Sequence, residues 1–190
     1  MPKFLVIQAA RFGDLVQTKR LLLSLALRGE VHLAVDASLV PLARVLYPFA
    51  ELHALSVHGR PEAEALARNT AMLIRWQGLH FEAVYNCNFS GATAALCRVF
   101  ETGQVHGYRP EPGGISRSPW ARLAFRISER RALAPLNLVD FWAHFAPDPV
   151  EAHRVNPVAS PGGRGLGVVL AGRESRRSLP VPVLAEVVRA

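Results

Sequence analysis

The chain has 190 residues, 50% of them hydrophobic and 19% charged, with a mean hydropathy of +0.16. That is one full domain with chain to spare, long enough to bury a core without disulfide or metal staples and too apolar to be disordered. Lys and Arg number 22 against 15 Asp and Glu, a net charge of +7, and every basic residue except Lys3 and Lys19 is arginine, whose planar fork suits phosphate and carboxylate partners.

Residues 3–9 form a nearly continuous apolar run, the pattern of a strand buried on both faces. Gly13 and Asp14 open a helical pattern that reaches Arg28 and stops at Gly29, placed as a C′ residue. Further strands are predicted at 31–35, 52–57, 82–87 and 105–108, with helices at 38–46 (closed by Pro48), 61–77 and 90–100. Pro61 with Glu62 and Glu64 in the first turn marks the start of the third helix. Strands alternating with helices pair in parallel, because each crossover helix covers a sheet face. The expected fold is therefore α/β, a Rossmann-like doubly wound parallel sheet over residues 1–147.

Pro110, Pro112, Gly113 and Gly114 predict a loop, followed by an amphipathic helix at 120–131 and an aromatic-rich helix at 137–145. Residues 148–164 lack periodicity and are rich in Pro, Gly and Ala, as expected of an interdomain linker. A strand at 166–171, a polar turn at 172–178 and a helix from Pro180 to the end then make residues 165–190 the first strand and helix of an incomplete second α/β domain. One strand and one helix cannot bury a core alone.

Cys87 and Cys97 are too few for a disulfide framework or a metal set and read as buried, reduced small hydrophobes. The richest apolar run, 21–27, is far shorter than the roughly 20 residues of a membrane span. The amino terminus lacks a signal-peptide pattern. A soluble cytoplasmic protein is expected, with a basic surface able to touch the cytoplasmic face of a membrane.

Ligands of open parallel sheets bind beyond the carboxyl ends of the strands. Three segments fall there: Arg11 to Asp14, His58 to Arg60, and Asn86 to Ser90. Asp14 is the carboxylate best placed for catalysis, with Gly13 permitting a tight strand-to-helix turn. The same spacing makes Asp14 an N-cap with Gln17 completing a capping box, and the residues alone leave both roles open. Residues 172–180 place Arg173, Ser175, Arg176 and Arg177 in a strand-to-helix turn, either an anion site fit for a diphosphate or a solvated basic loop. Arg122, Arg126 and Arg130 form a stripe opposite Trp120, Leu123, Ala124 and Ile127, with Arg117 and Arg131 nearby. It reads as a solvated face or as a landing surface for phosphorylated lipid headgroups or anionic sugar. Nucleic acid fits poorly, for no aromatics interleave on the basic face. No P-loop or serine nucleophile elbow occurs. The Gly-rich 162–167 precedes a strand instead of following one, and the seven histidines lack ligand spacing, so each is assigned to core or surface and not to a metal.

Residues 3–22, with Gly13-Asp14-Leu15-Val16-Gln17-Thr18 at the helix start, resemble the amino terminus of glycosyltransferase family nine, the lipopolysaccharide heptosyltransferases. Residues 81–88 with Ser90, then 105–108, then 172–180, resemble later passages of that family in the same order. The resemblance implies a GT-B architecture in which the amino-terminal half receives the acceptor and the carboxyl-terminal half the nucleotide-sugar. It also implies inverting, metal-independent transfer of heptose from ADP-heptose to an inner-core lipopolysaccharide sugar, with no cofactor. Asp14 would be the general base. Arg11, Gly13, Arg60, Asn88, Ser90, Arg117 and Arg122 are the candidates for gripping the acceptor, and Arg173, Ser175 and Arg177 for the donor phosphates. Arg177 and Leu179 stand where the family usually carries Lys and Trp before Pro180, a departure at the donor loop. With its donor half incomplete, this chain is expected to be an inactive fragment, since transfer needs donor and acceptor in one closed cleft. The competing expectations are a non-catalytic Rossmann-like module binding a nucleotide or anionic glycolipid, and a generic nucleotide-binding domain.

Overall fold

A computed structural model describes residues 1–130, 132, 136–155 and 180–189. The chain divides into two compact units, Met1–Asn156 and Pro157–Ala190. In the first, six strands run β1 (Lys3–Ile7), β2 (Glu30–Asp36), β3 (Glu51–Leu55), β4 (Ala83–Asn86), β5 (Val105–Glu111) and β6 (Gly114–Arg117). They form one sheet of order β3-β2-β1-β4-β5-β6, parallel except for the final antiparallel β5–β6 pair. The result is an α/β domain consistent with a Rossmann-like fold. The strand order reverses between β1 and β4, which creates a crevice at their carboxyl ends.

The apolar run of β1 is buried on both sides. Phe4 and Val6 join one core with Leu21, Leu25, Val31, Leu33, Tyr47, Ala121 and Trp142, while Leu5 and Ile7 join the other with Leu55, Leu73, Trp76, Val84 and Leu96. The first core lies under α1 (Phe12–Gln17), α2 (Lys19–Ala26), α3 (Val40–Leu46), α7 (Pro119–Ser128) and α8 (Leu138–Ala143). The second lies under α4 (Glu62–Arg68), α5 (Thr70–Gly78) and α6 (Gly91–Leu96). Each fully buried Leu or Ile contributes roughly 1.5–3 kcal/mol of apolar transfer. Cys87 and Cys97 are free and buried, and burial raises both thiols, Cys97 to about 12.

Several boundaries differ from the sequence expectation for local reasons. The helix predicted over 13–28 is two helices that meet at Thr18, whose Oγ1 donates to the Leu15 carbonyl at 2.7 Å and competes with the helical ladder. The helix predicted over 61–77 breaks at Asn69 in the same way: its amide donates to the Ala65 carbonyl at 2.7 Å and to the Ser56 carbonyl at 3.2 Å. Gly29 is not a left-handed cap; a Cβ there would lie 2.2 Å from the Pro2 carbonyl oxygen, so close chain approach selects glycine.

The loop predicted at 110–114 is a β-hairpin. Strand β5 continues to Glu111, pairs with Gly114, and turns through Pro112 and Gly113, whose φ is 90°. Gly107, at the β4–β5 junction, has φ 91°, and a Cβ there would sit 2.1 Å from the Asn86 carbonyl oxygen. Gly107→Ala is expected to cost more than about 2 kcal/mol, because strain and a backbone collision add. Chemical denaturation checks it, and a loss below that would mean the junction relaxes easily.

Residues 148–155, within the expected linker, are fastened to α2. The Arg20 guanidinium donates to the Asp140 carboxylate at 2.5 Å and to the Val150 carbonyl, Ser24 Oγ accepts from the Val150 N–H at 2.9 Å, and Lys19 reaches the Val155 carbonyl at 3.4 Å. Arg20 thus also anchors α8, which forms part of the crevice wall. A short helix α9 (Ala152–Val155) ends this segment. In the second unit, α10 (Val181–Arg189) follows Pro180, in keeping with proline as a helix starter.

Candidate functional site

The crevice beyond β1, β3 and β4 is a cavity of about 570 Å³, lined by Ala9, Ala10, Arg11 and Asp14 after β1, residues 57–60 after β3, and Cys87 to Ser90 after β4. Ala92, Thr93, Leu138 and Trp142 complete it. Five sequence candidates, Arg11, Asp14, Arg60, Asn88 and Ser90, therefore meet in one place.

Asp14 occupies the third helical position of α1, not the N-cap, and its Oδ2 accepts the Arg11 backbone N–H at 3.1 Å. It closes the helix start from inside, where a carboxylate also complements the helix dipole. Arg11 is the N-cap residue, so no capping box runs from Asp14 to Gln17; Gln17 Oε1 is buried and has no hydrogen-bond partner among the described residues. Among those residues only Oδ2 of Asp14 is engaged, which leaves Oδ1 to a ligand hydroxyl. Capping and a catalytic role are compatible. Gly13 does not line the cavity, its φ is not positive, and a Cβ there meets nothing within 4 Å. The strand-to-helix turn does not require glycine at that position.

The other polar candidates are more committed. Asn88 is buried; its Oδ1 accepts the Ala9 N–H at 2.9 Å, and its Nδ2 donates to the Ile7 carbonyl at 2.8 Å and to Asn86 Oδ1 at 3.0 Å. This amide staples the carboxyl ends of β1 and β4 and sets the width of the crevice. Ser90 caps α6, accepting the Thr93 N–H at 3.2 Å. Arg60 donates to Ser56 Oγ at 3.1 Å and pairs with Glu64, whose carboxyl is held below its usual range by hydrogen bonds from Arg68 and Arg60. The pair is solvent-screened, so Arg60 can exchange Glu64 for an anionic ligand at little cost. Arg11, exposed at the rim, is the more available cation.

Arg117 and Arg122 are not in this cavity. They line a second one of about 590 Å³ with Tyr108, Glu111, Ile115 and Ser116 on the hairpin. The Arg117 guanidinium lies 4.1 Å from the centre of the Phe125 ring and 5.5 Å from that of Tyr108, a cation–π stack. Phe89 stands between the two cavities, packed edge-on against Tyr108 and Phe125 and stacked on Trp142 at 5.5 Å. On α7 the buried face is Ala121 and Ala124; Leu123, expected on that face, is 53% exposed, and the Arg122–Arg126–Arg130 stripe is solvated. Arg173, Ser175 and Arg177 lie outside the described residues.

Nothing in the sequence marks Val57, Phe89, Leu138 and Trp142 as one apolar wall. Phe89 sits between Asn88 and Ser90, and its exposure to the crevice is set by the tertiary packing of α8. Trp142 is buried, with its indole N–H lacking a hydrogen-bond partner among the described residues. A cavity with one apolar aromatic side, one carboxylate and rim arginines is suited to a polyhydroxylated, anionic ligand whose ring faces stack while its hydroxyls reach Asp14. Among the described residues no helix is long and apolar enough to cross a membrane. No protein-family model matches the chain, and no curated protein matches it.

Proposed function

We propose that this chain is the acceptor-binding side of an inverting glycosyltransferase of the heptosyltransferase type. Its substrate class is a phosphorylated or carboxylated inner-core sugar, and its donor a nucleotide-sugar such as ADP-heptose. The observation that carries the reading is the position of Asp14: first carboxylate after β1, at the reversal point of the strand order, on the wall of the crevice, with Oδ1 uncommitted among the described residues.

In the proposed reaction the acceptor hydroxyl donates its proton to Asp14 Oδ1 as its oxygen attacks the anomeric carbon of the donor. The bond from that carbon to the diphosphate breaks, and the nucleotide diphosphate leaves with the bonding pair. Arg11 and Arg60 neutralise the acceptor's anionic groups, and the Phe89–Trp142 face receives a sugar ring. Donor phosphate contacts are proposed for Arg173, Ser175 and Arg177, and a cytoplasmic site of action at the inner membrane goes with the glycolipid acceptor. A binding module without catalysis is the second reading. It draws on the commitment of Asn88 and Ser90 to internal partners, which leaves few groups to do chemistry.

Calorimetry with a phosphorylated inner-core oligosaccharide tests the acceptor assignment on this chain. Saturable binding is expected, weakened about tenfold, or 1.4 kcal/mol, by Arg11→Ala. Binding that is absent, or indifferent to Arg11→Ala, removes the crevice as the acceptor site.

A further inference from the structure

Two histidines that are 21 positions apart in the chain meet inside it. The β2–β3 register sets His32 beside Glu51 and Ala34 beside His53, so the two imidazoles lie diagonally across neighbouring strands. His32 Nδ1 is 2.9 Å from His53 Nε2 and 3.5 Å from Glu51 Oε2. One ligand atom from each of the three residues lies within 4.8 Å of the others. Both rings are fully buried, enclosed by Phe81 and Trp76, while Glu51 is partly exposed and gives the cluster a route to solvent.

The outer nitrogens face groups of their own. His32 Nε2 lies 3.0 Å from Glu30 Oε1, in a bent contact, and His53 Nδ1 lies 3.2 Å from the Met72 sulfur. With the ring protons on those outer atoms, His32 Nδ1 and His53 Nε2 both present lone pairs to each other and to the Glu51 carboxylate. A proton on His53 Nε2 relieves one of these contacts. It also turns a lone pair toward the Met72 sulfur and leaves Glu51 Oε2 facing no donor. A cation satisfies all three donors at once. Glu30 behind His32 then becomes the carboxylate that orients a ligating imidazole from its far side. Burial supports this state, since it lowers His53 to about 4 and lowers His32 as well, keeping both rings neutral and able to ligate.

We propose that His32 Nδ1, His53 Nε2 and Glu51 Oε2 bind one divalent transition cation of the Zn²⁺ class. Two imidazoles and a carboxylate suit Zn²⁺, Co²⁺, Ni²⁺ or Cu²⁺ and disfavour Mg²⁺ and Ca²⁺, which prefer all-oxygen sets. At Zn–N distances of about 2.0–2.1 Å, tetrahedral ligation places the two nitrogens about 3.4 Å apart. The head-on rings must therefore pivot and part by about 0.5 Å. Strand β3 is the sheet edge, where such a movement meets least resistance. Arg75 and Lys3 hold the outer sides of the Glu51 and Glu30 carboxylates and moderate the affinity without occupying the inner oxygen of Glu51. The site lies toward the amino-terminal ends of β2 and β3, at the opposite end of the parallel sheet from the crevice. It is a clip that fastens the edge strand to β2, outside the proposed transfer chemistry.

The test is titration of the chelator-stripped full chain with Zn²⁺ by calorimetry, with thermal melting and Co²⁺ absorption alongside. Expected are one Zn²⁺ per chain, a raised melting temperature, and the intense visible absorption of four-coordinate Co²⁺. Glu51→Gln, which leaves the buried rings in place, is expected to weaken binding by at least about tenfold, and Glu30→Gln by about tenfold. His53→Gln abolishes the site, and Arg75→Ala retains it. Should His53→Gln fail to fold, Glu51→Gln against Arg75→Ala still decides. A folded chain that takes up no stoichiometric Zn²⁺ overturns the proposal. So does uptake that is equal in wild type and Glu51→Gln, which would assign the ion to a surface pair such as Glu151–His153.

Discussion

In protein expressed from the whole open reading frame, Asp14→Asn is expected to lower sugar transfer by about 10²–10⁴-fold, the contribution of a positioned general base, while the fold stays intact. The two consequences separate because the cap and the proposed base use different oxygens of Asp14. Its Oδ2 accepts the Arg11 N–H at the start of α1. An asparagine carbonyl oxygen accepts the same bond in the same volume, so the cap survives and the melting temperature barely moves. The basic oxygen that would take the acceptor proton does not survive. A pure cap predicts the reverse: normal turnover, with at most about 1 kcal/mol of stability lost in a variant that removes the acceptor altogether, such as Asp14→Ala. Comparing turnover and melting in both variants distinguishes the roles.

Asn88→Ala is expected to cost about 2 kcal/mol, because the buried Ala9 N–H is left without its partner at about 1–3 kcal/mol per orphaned group, while the Ile7 carbonyl keeps the Cys87 N–H at 2.9 Å. The same amide ties the loop after β4 to the end of β1, and Asn86 extends the chain of side-chain amides to the Tyr108 carbonyl at 2.8 Å. The variant should therefore also loosen the crevice and weaken acceptor binding, although the side chain itself has no donor left for a ligand. Denaturant unfolding measures the first effect and calorimetry the second. A variant that binds normally but unfolds easily would confine Asn88 to stability.

What the sequence disclosed follows from periodicity. The apolar runs of β1, β2 and β4 are continuous because helices cover both faces of the sheet, and that pattern is visible without coordinates. Residues 11–14, 58–60 and 86–90 were placed at one end of the sheet by topology alone, since parallel strands bring their carboxyl ends together. Side-chain hydrogen bonding was harder to read. Thr18 and Asn69 split two helices through bonds to preceding carbonyls that are indistinguishable in sequence from ordinary polar positions. The β5–β6 hairpin was hidden by Pro110 and Pro112, which an edge hairpin tolerates and a central strand does not. Charge groups Arg117 with Arg60, yet the hairpin carries it to a separate cavity. His32 and His53 have no ligand spacing along the chain; only the strand register makes them neighbours.

Group transfer with Asp14 as base leaves a product that can be weighed. The most direct test is mass spectrometry of inner-core acceptor incubated with ADP-heptose, and in parallel with other nucleotide-sugars, using protein expressed from the whole open reading frame. Acceptor is expected to gain one glycosyl residue, with the product lost in Asp14→Asn. Acceptor that binds in the crevice but gains no sugar from any donor, or an Asp14→Asn protein that transfers at the wild-type rate, contradicts it.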